Sequence, residues 1–189
     1  MDVQICQWVP EEIPFARLSE VLAAAHDGSR EVEYNTTGLT EAELTERMAR
    51  GGATFIALSG RAVVGMTAVC LENWKQWYCP GKTAALRFIA VRPECAGRGV
   101  ASRLVAACAQ WAESRGVGTL LWTTAANNRA AVATAEKNGF VRVDYFRFRG
   151  IGHPSVRLAR WLGAKAPGAL KRRAYYALKK GYVSLFRKG

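Results

Sequence analysis

The chain has 189 residues, half of them apolar and 22% charged, which is the balance of one folded domain with an appendage and not of a disordered chain. No run of about 18 uncharged apolar residues occurs, so no transmembrane helix is expected, and the opening Met1-Asp2-Val3 is not that of a signal peptide. The net charge of +12 is entirely local: residues 145–189 hold 12 Lys and Arg and no acid, while residues 1–144 hold 15 of each sign. A neutral body (1–149) with a basic extension (150–189) predicts different partners for the two parts.

In chain order, residues 3–8 read as a short strand. Residues 11–25 have helical spacing through Ile13, Leu18, Val21 and Leu22. Residues 26–38 are polar and loop-like. Thr40 and Glu43 match a capping box that opens a helix through Leu44 and Met48. Two strands follow, 54–58 and 62–71, joined by the tight Ser59-Gly60-Arg61 turn. A polar stretch with aromatics leads to a strand at 84–91 that Pro93 stops. Residues 97–114 form a long amphipathic helix with Val100, Leu104, Val105, Cys108 and Trp111 on one face. A short buried strand at 119–123, a helix at 128–138 and a last strand at 141–148 complete the body. This order predicts a mixed sheet flanked by helices, an α/β (α+β) fold. Beyond a hinge at Gly150, Gly152 and Pro154, two short basic helices are expected at 155–162 and 170–186.

The five cysteines, at 6, 70, 79, 95 and 108, are odd in number, contain no CxxC and match no zinc spacing. A reduced, cytoplasmic protein with no metal site is expected. Cys6, Cys70 and Cys108 fit as small buried hydrophobes.

The segment from Leu86 to Phe140 carries chemistry. A strand ending Ile89-Ala90-Val91 runs through a proline turn into Ala96-Gly97-Arg98-Gly99-Val100-Ala101 and then into the long helix. Glycines at a strand-to-helix turn let backbone N–H groups converge on an anion, and the helix N-terminus adds partial positive charge and unpaired donors. This is a site for a phosphate or diphosphate. GxxxxGK[ST] is absent, and Gly97-x-Gly99 followed by Ser102 lacks the third glycine and the acidic residue of a dinucleotide fingerprint. The loop instead resembles the Q/R-x-x-G-x-G/A diphosphate loop of the GCN5-related N-acetyltransferases (GNAT). Ile89–Val91 before Pro93, the Asn128–Val132 block and the Lys137–Phe140 block are similar to that superfamily's other motifs, in the same order.

The resemblance implies a mixed sheet whose fourth and fifth strands splay apart to admit acetyl-CoA. The diphosphate would lie on the amides of Ala96, Gly97, Arg98, Gly99, Val100 and Ala101, with Ser102 in the same turn. The pantetheine arm would pair with Ile89, Ala90 and Val91, and an amide near Ile89 would stabilise the oxyanion, worth about 3–4 kcal/mol. Asn128 would touch the pantetheine or a bridging water. The implied activity is direct acetyl transfer to a primary amine of a small molecule, amino sugar or peptide; the alternative is a non-catalytic acyl-CoA-binding module tethered to membrane or polyanion through the basic tail. Two departures stand out: Ala96 replaces the usual Gln or Arg, and Ala135 replaces the usual tyrosine acid.

Candidates for proton transfer are Glu72, at a strand end on the presumed acceptor side, and Tyr145 on the last strand. Tyr78 and Cys79 are expected to border the acceptor pocket, Arg87 to meet an acidic acceptor or to form a plain ion pair, and His26 and His153 to be solvated. In the tail, Leu170, Ala174, Leu178, Tyr182 and Leu185/Phe186 form an apolar stripe among basic residues. Such a helix suits an anionic membrane surface, here the inner face of the membrane, or packing on the body or on a twin subunit in a homodimer. Nucleic acid is not the expected partner, since no RNA-binding module is recognisable.

Overall fold

The computed structural model describes residues 2–26, 39–147, 153–163 and 165–185. Among these residues five helices, α1 (Phe15–His26), α2 (Glu41–Ala49), α3 (Val100–Ser114), α4 (Arg129–Lys137) and α5 (Ala169–Leu185), surround seven strands. The strands are β1 (Gln4–Gln7), β2 (Ala53–Ser59), β3 (Ala62–Glu72), β4 (Lys82–Val91), β5 (Val117–Ala125), β6 (Val141–Arg147) and β7 (Pro154–Trp161). They form one sheet in the order β1-β2-β3-β4-β5-β7-β6. All neighbours are antiparallel except β4 and β5, which run parallel.

Each face of the sheet buries its own apolar layer. Val105, Cys108 and Trp111 of α3, with Val132 and Ala135 of α4, pack on Leu86, Leu120 and Trp122. On the other face Leu18, Val21 and Leu22 of α1 and Leu44 of α2 pack on Ile56, Met66 and Ala68. Full burial of one such Leu or Val stabilises the fold by about 1.5–3 kcal/mol. The expected cap of α2 is present: Thr40 Oγ1 accepts from the Glu43 amide at 3.2 Å.

The body follows the predicted order as far as β6. The sequence reading fails at residues 155–162, where the structure has a strand and not a basic helix. Pro154–Trp161 inserts between β5 and β6 and pairs with both. The central sheet therefore runs past residue 150 into the segment expected to be an extension. An interior strand is covered on both faces, so apolar and polar residues need not alternate cleanly. Here Val156, Leu158 and Ala159 are buried beside buried Arg157, and the two arginines gave the segment a surface-helix texture. The second expected helix is α5. The predicted loop at 27–38 and the glycine hinge at 150 and 152 lie outside the described residues.

Candidate active site

The sheet opens at one place. β4 and β5 pair from Lys82↔Val117 to Leu86↔Trp122 and then part, although β4 continues to Val91 and β5 to Ala125. The β5 side of β4 beyond Leu86 has no ladder partner, so its N–H and C=O groups are available to an extended ligand. β4 is also bulged there: Met66 faces Ala90 and Ala68 faces Arg87, leaving Thr67 opposite both Phe88 and Ile89. Phe88 has φ +53°, alone among the described non-glycine residues in having a positive φ, a conformation that costs about 1–2 kcal/mol. Thr67 Oγ1 donates to the Arg87 carbonyl at 3.1 Å and pins the bulge. Strain held in place by its surroundings is typical of functional sites.

Past Val91 the chain makes a 3-10 turn (Pro93–Cys95) and enters α3 through Gly97 and Gly99, at φ +73° and +78°. A Cβ built on either glycine meets no atom within 4 Å. The glycines therefore serve the left-handed backbone and keep the space over the loop open. The first intrahelical bond is from the Arg103 amide to the Gly99 carbonyl, 3.1 Å. The amides of Gly99, Val100, Ala101 and Ser102 thus have no intrahelical acceptor, and the first turn carries no acid. Ala96 differs from expectation: its amide donates to Pro93 O at 3.0 Å, so donors for an anion begin at Gly97. Gly65 lets α3 sit close to the sheet, since a Cβ there would lie 3.1 Å from both Leu104 Cδ1 and Val100 Cγ1. An open strand edge leading to a cradle of amides fits an acyl thioester of coenzyme A: an extended amide-bearing arm on β4 and a diphosphate on the helix end.

Other predicted residues find defined places. Ser102 Oγ accepts from Asn138 Nδ2 at 3.0 Å, tying the first turn of α3 to the end of α4. Asn128 caps α4, its Oδ1 accepting from the Ala131 amide at 3.0 Å, so the group it can offer a ligand is its Nδ2 amide. Ala135 is fully buried among Trp122, Val132 and Phe140.

On the α1/α2 face, Arg87 is the first β4 residue beyond the last β4–β5 pair. Its Nη2 donates to Glu72 Oε1 at 2.7 Å; Glu72 stands opposite Thr83, where β4 and β5 are still paired, so the ion pair lies beside the inner end of the gap. The Nε groups of Arg87 and Arg47 are buried without a hydrogen-bond partner. Burial pushes the Cys70 thiol above its ordinary range, partly offset by Arg47 and Arg87. Tyr145 lies on β6, separated from β5 by β7, with its ring edge-on to Tyr176 at 6.0 Å. His26 ends α1, and His153 is half-buried and not freely solvated.

The far wall of the gap was not foreseen. Arg157 of β7 donates to Tyr78 Oη at 3.0 Å, to Asp144 Oδ2 at 3.4 Å and to Thr123 Oγ1 at 3.3 Å. Its guanidinium lies 3.9 Å from the Trp74 ring centre and 4.4 Å from that of Phe146. Tyr78 in turn donates to Asp144 at 3.1 Å. Burial raises the Tyr78 hydroxyl well above its usual range and pushes the Cys79 thiol up to about 11. Both residues are buried and so do not border an open pocket. Residues this far apart in sequence meet only because β7 lies beside β5; the buried Val156 and Leu158 flanking Arg157 are the one local signal of a strand. Among the described residues no group of three or more metal-ligating side chains is present.

The acetyltransferase (GNAT) family model matches residues 16–140. No curated protein matches the chain. Among solved structures, a GNAT-family acetyltransferase from Streptococcus pneumoniae superposes with a TM-score of 0.68 at 20% identity, over 86% of this chain and 100% of that one. The Salmonella typhimurium protein yncA, solved with its cofactor acetyl-CoA, gives 0.67 at 17% identity over 88% and 98%. The ribosomal-protein-S18-alanine N-acetyltransferase of Escherichia coli gives 0.64 at 17% over 89% and 98%. A family match over most of the chain, on a sheet that parts where a thioester must enter, leads to one conclusion: this chain belongs to the GNAT acetyltransferase family and uses acetyl-CoA as co-substrate.

Proposed function

We propose that the protein moves the acetyl group directly to a primary amine of low pKa, on an acceptor that carries oxygens beside that amine, such as an amino sugar or an α-amino compound. The observation that carries this reading is the Glu72–Arg87 pair beside the inner end of the β4–β5 gap. Glu72 offers a carboxylate to the incoming ammonium and a destination, through water, for its proton. The partly exposed Arg87 guanidinium is a donor for neighbouring acceptor oxygens. The amine nitrogen bonds to the acetyl carbon, the carbon–sulfur bond breaks, and coenzyme A leaves as a thiolate.

Two arguments support direct transfer and a weakly basic amine. Burial raises both Cys70 and Cys79, so neither thiol is suited to form an acyl-enzyme. Ala135 brings no hydroxyl to the leaving sulfur, and we give Tyr145, packed on Tyr176, no proton-transfer role. With little acid–base assistance, deprotonating a lysine-like amine at pH 7 costs about 4.6 kcal/mol, against about 1 kcal/mol for an α-amine. A thiolate with pKa near 8.5 leaves with little help. The missing hydroxyl also favours a second reading, an acyl-CoA-binding module without turnover. Thiol release from acetyl-CoA with a panel of amines separates the two. The proposal expects faster release with amino sugars or α-amines, acetyl appearing on the amine, and a fall in kcat of at least tenfold for Glu72→Gln. If no amine accelerates release while coenzyme A still binds, the second reading holds.

A further inference from the structure

Helix α5 is anchored by one face. Tyr176 meets Tyr145 at 6.0 Å, Tyr175 meets Trp77 at 5.3 Å, and Arg172 lies 4.6 Å over Trp161. Lys179 Nζ is 4.0 Å from Asp144 Oδ1. These contacts hold α5 over β6 and the Trp77 segment. At 3.6 residues per turn, Leu170, Ala174, Ala177, Leu178, Gly181 and Leu185 fall on the opposite side. There Leu170 is 83%, Leu178 73% and Leu185 82% exposed, with Tyr182 at 62% on the margin. A helix resting on a protein body ordinarily turns its charged face outward. This one turns an apolar face outward, with Arg173 and Lys180 along one margin; along the other, Lys171 Nζ lies 4.7 Å over the Trp77 ring.

We propose that this face docks the protein, in plane, on an anionic lipid bilayer, the leucines seated at the headgroup–acyl boundary and the flanking cations on lipid phosphates. Apolar face, basic margins and the absence of acid from residues 145–189 are the chemistry of an interfacial helix. A second copy would bring the same uncompensated positive charge to the contact. A nucleic-acid surface would place cations and stacking rings at the centre of the face, where this helix has aliphatic side chains. Among the described residues no helix is long and apolar enough to cross a membrane, so the association is peripheral. The proposal is independent of acetyl transfer, and its test does not read that activity.

The full chain is floated with vesicles of phosphatidylcholine alone and of phosphatidylcholine with phosphatidylglycerol. It is expected to float with the anionic vesicles and far less with the neutral ones. Leu170→Gln/Leu178→Gln/Leu185→Gln is expected to lose partitioning at least tenfold with an unchanged unfolding midpoint, since those side chains are exposed. Arg173→Gln/Lys180→Gln is expected to lose about fivefold per charge on anionic vesicles only. Absence of flotation, or a triple leucine variant that floats like the parent, overturns the proposal. So does a dimer in sedimentation velocity that the leucine variant dissolves, which assigns the face to a second copy. Retention on RNA without flotation, kept by the leucine variant, overturns it in favour of nucleic acid.

Discussion

Arg157→Met should be the most damaging substitution in the far wall of the gap. The side chains of Arg157 and Asp144 are only 9% and 10% exposed. Removing the guanidinium leaves Asp144 buried, with Tyr78 and the more distant Lys179 as its remaining side-chain partners. Breaking a buried pair from one side costs about 3–5 kcal/mol, and the two ring contacts of the guanidinium are lost as well. At roughly 2–4 °C per kcal/mol for a chain of this size, the midpoint should fall by about 6–20 °C. Arg157→Met/Asp144→Asn should recover at least half of the loss, because an amide oxygen can accept from Tyr78 without a charge to desolvate. Urea unfolding of the parent and the three variants, including Asp144→Asn alone, closes the double-mutant cycle. A single variant losing less than about 1 kcal/mol, or a double variant no more stable than the single, would refute a buried charge network at this wall.

Two further outcomes follow from buried groups. Ala135→Tyr does not restore a missing acid: a phenol has no room among Trp122, Val132 and Phe140, so the urea midpoint should drop by the equivalent of roughly 1–3 kcal/mol or more with no gain in kcat, and a rise in kcat at unchanged stability would contradict this. Cys79 is raised from 9.0 to about 11 by burial, so its contribution is fully present below pH 9 and is lost as pH rises from about 9 through 11. Alkaline unfolding monitored by circular dichroism should show that decline, and Cys79→Ala should lessen it; an identical profile in the variant would contradict the assignment.

The elements that position the cofactor loop were legible because their signals are local. Thr40 and Glu43 announce a helix start, Gly97 and Gly99 a left-handed turn, and residues 100–111 an apolar face. The parting of β4 from β5 came only through family resemblance, since nothing in residues 84–91 alone tells where a neighbouring strand leaves. β7 was missed because an interior strand carrying Arg157 and Arg160 does not alternate, and both arginines take partners distant in sequence, Asp144 and the Asn138 carbonyl. The tail stripe was legible as a stripe, but its direction was not. Tyr175 and Tyr176, which anchor α5, lie off the predicted row, while Leu170, Leu178, Tyr182 and Leu185 of that row point outward.

The account rests most heavily on main-chain donors between Gly97 and Ser102 holding the diphosphate of coenzyme A. Calorimetric titration with coenzyme A should give saturable heat for the parent. It should show at least tenfold weaker binding for Gly97→Ala/Gly99→Ala that still unfolds cooperatively, a loss of about 1.4 kcal/mol. No heat from the folded parent at millimolar ligand, or equal affinity in the two proteins, would contradict it.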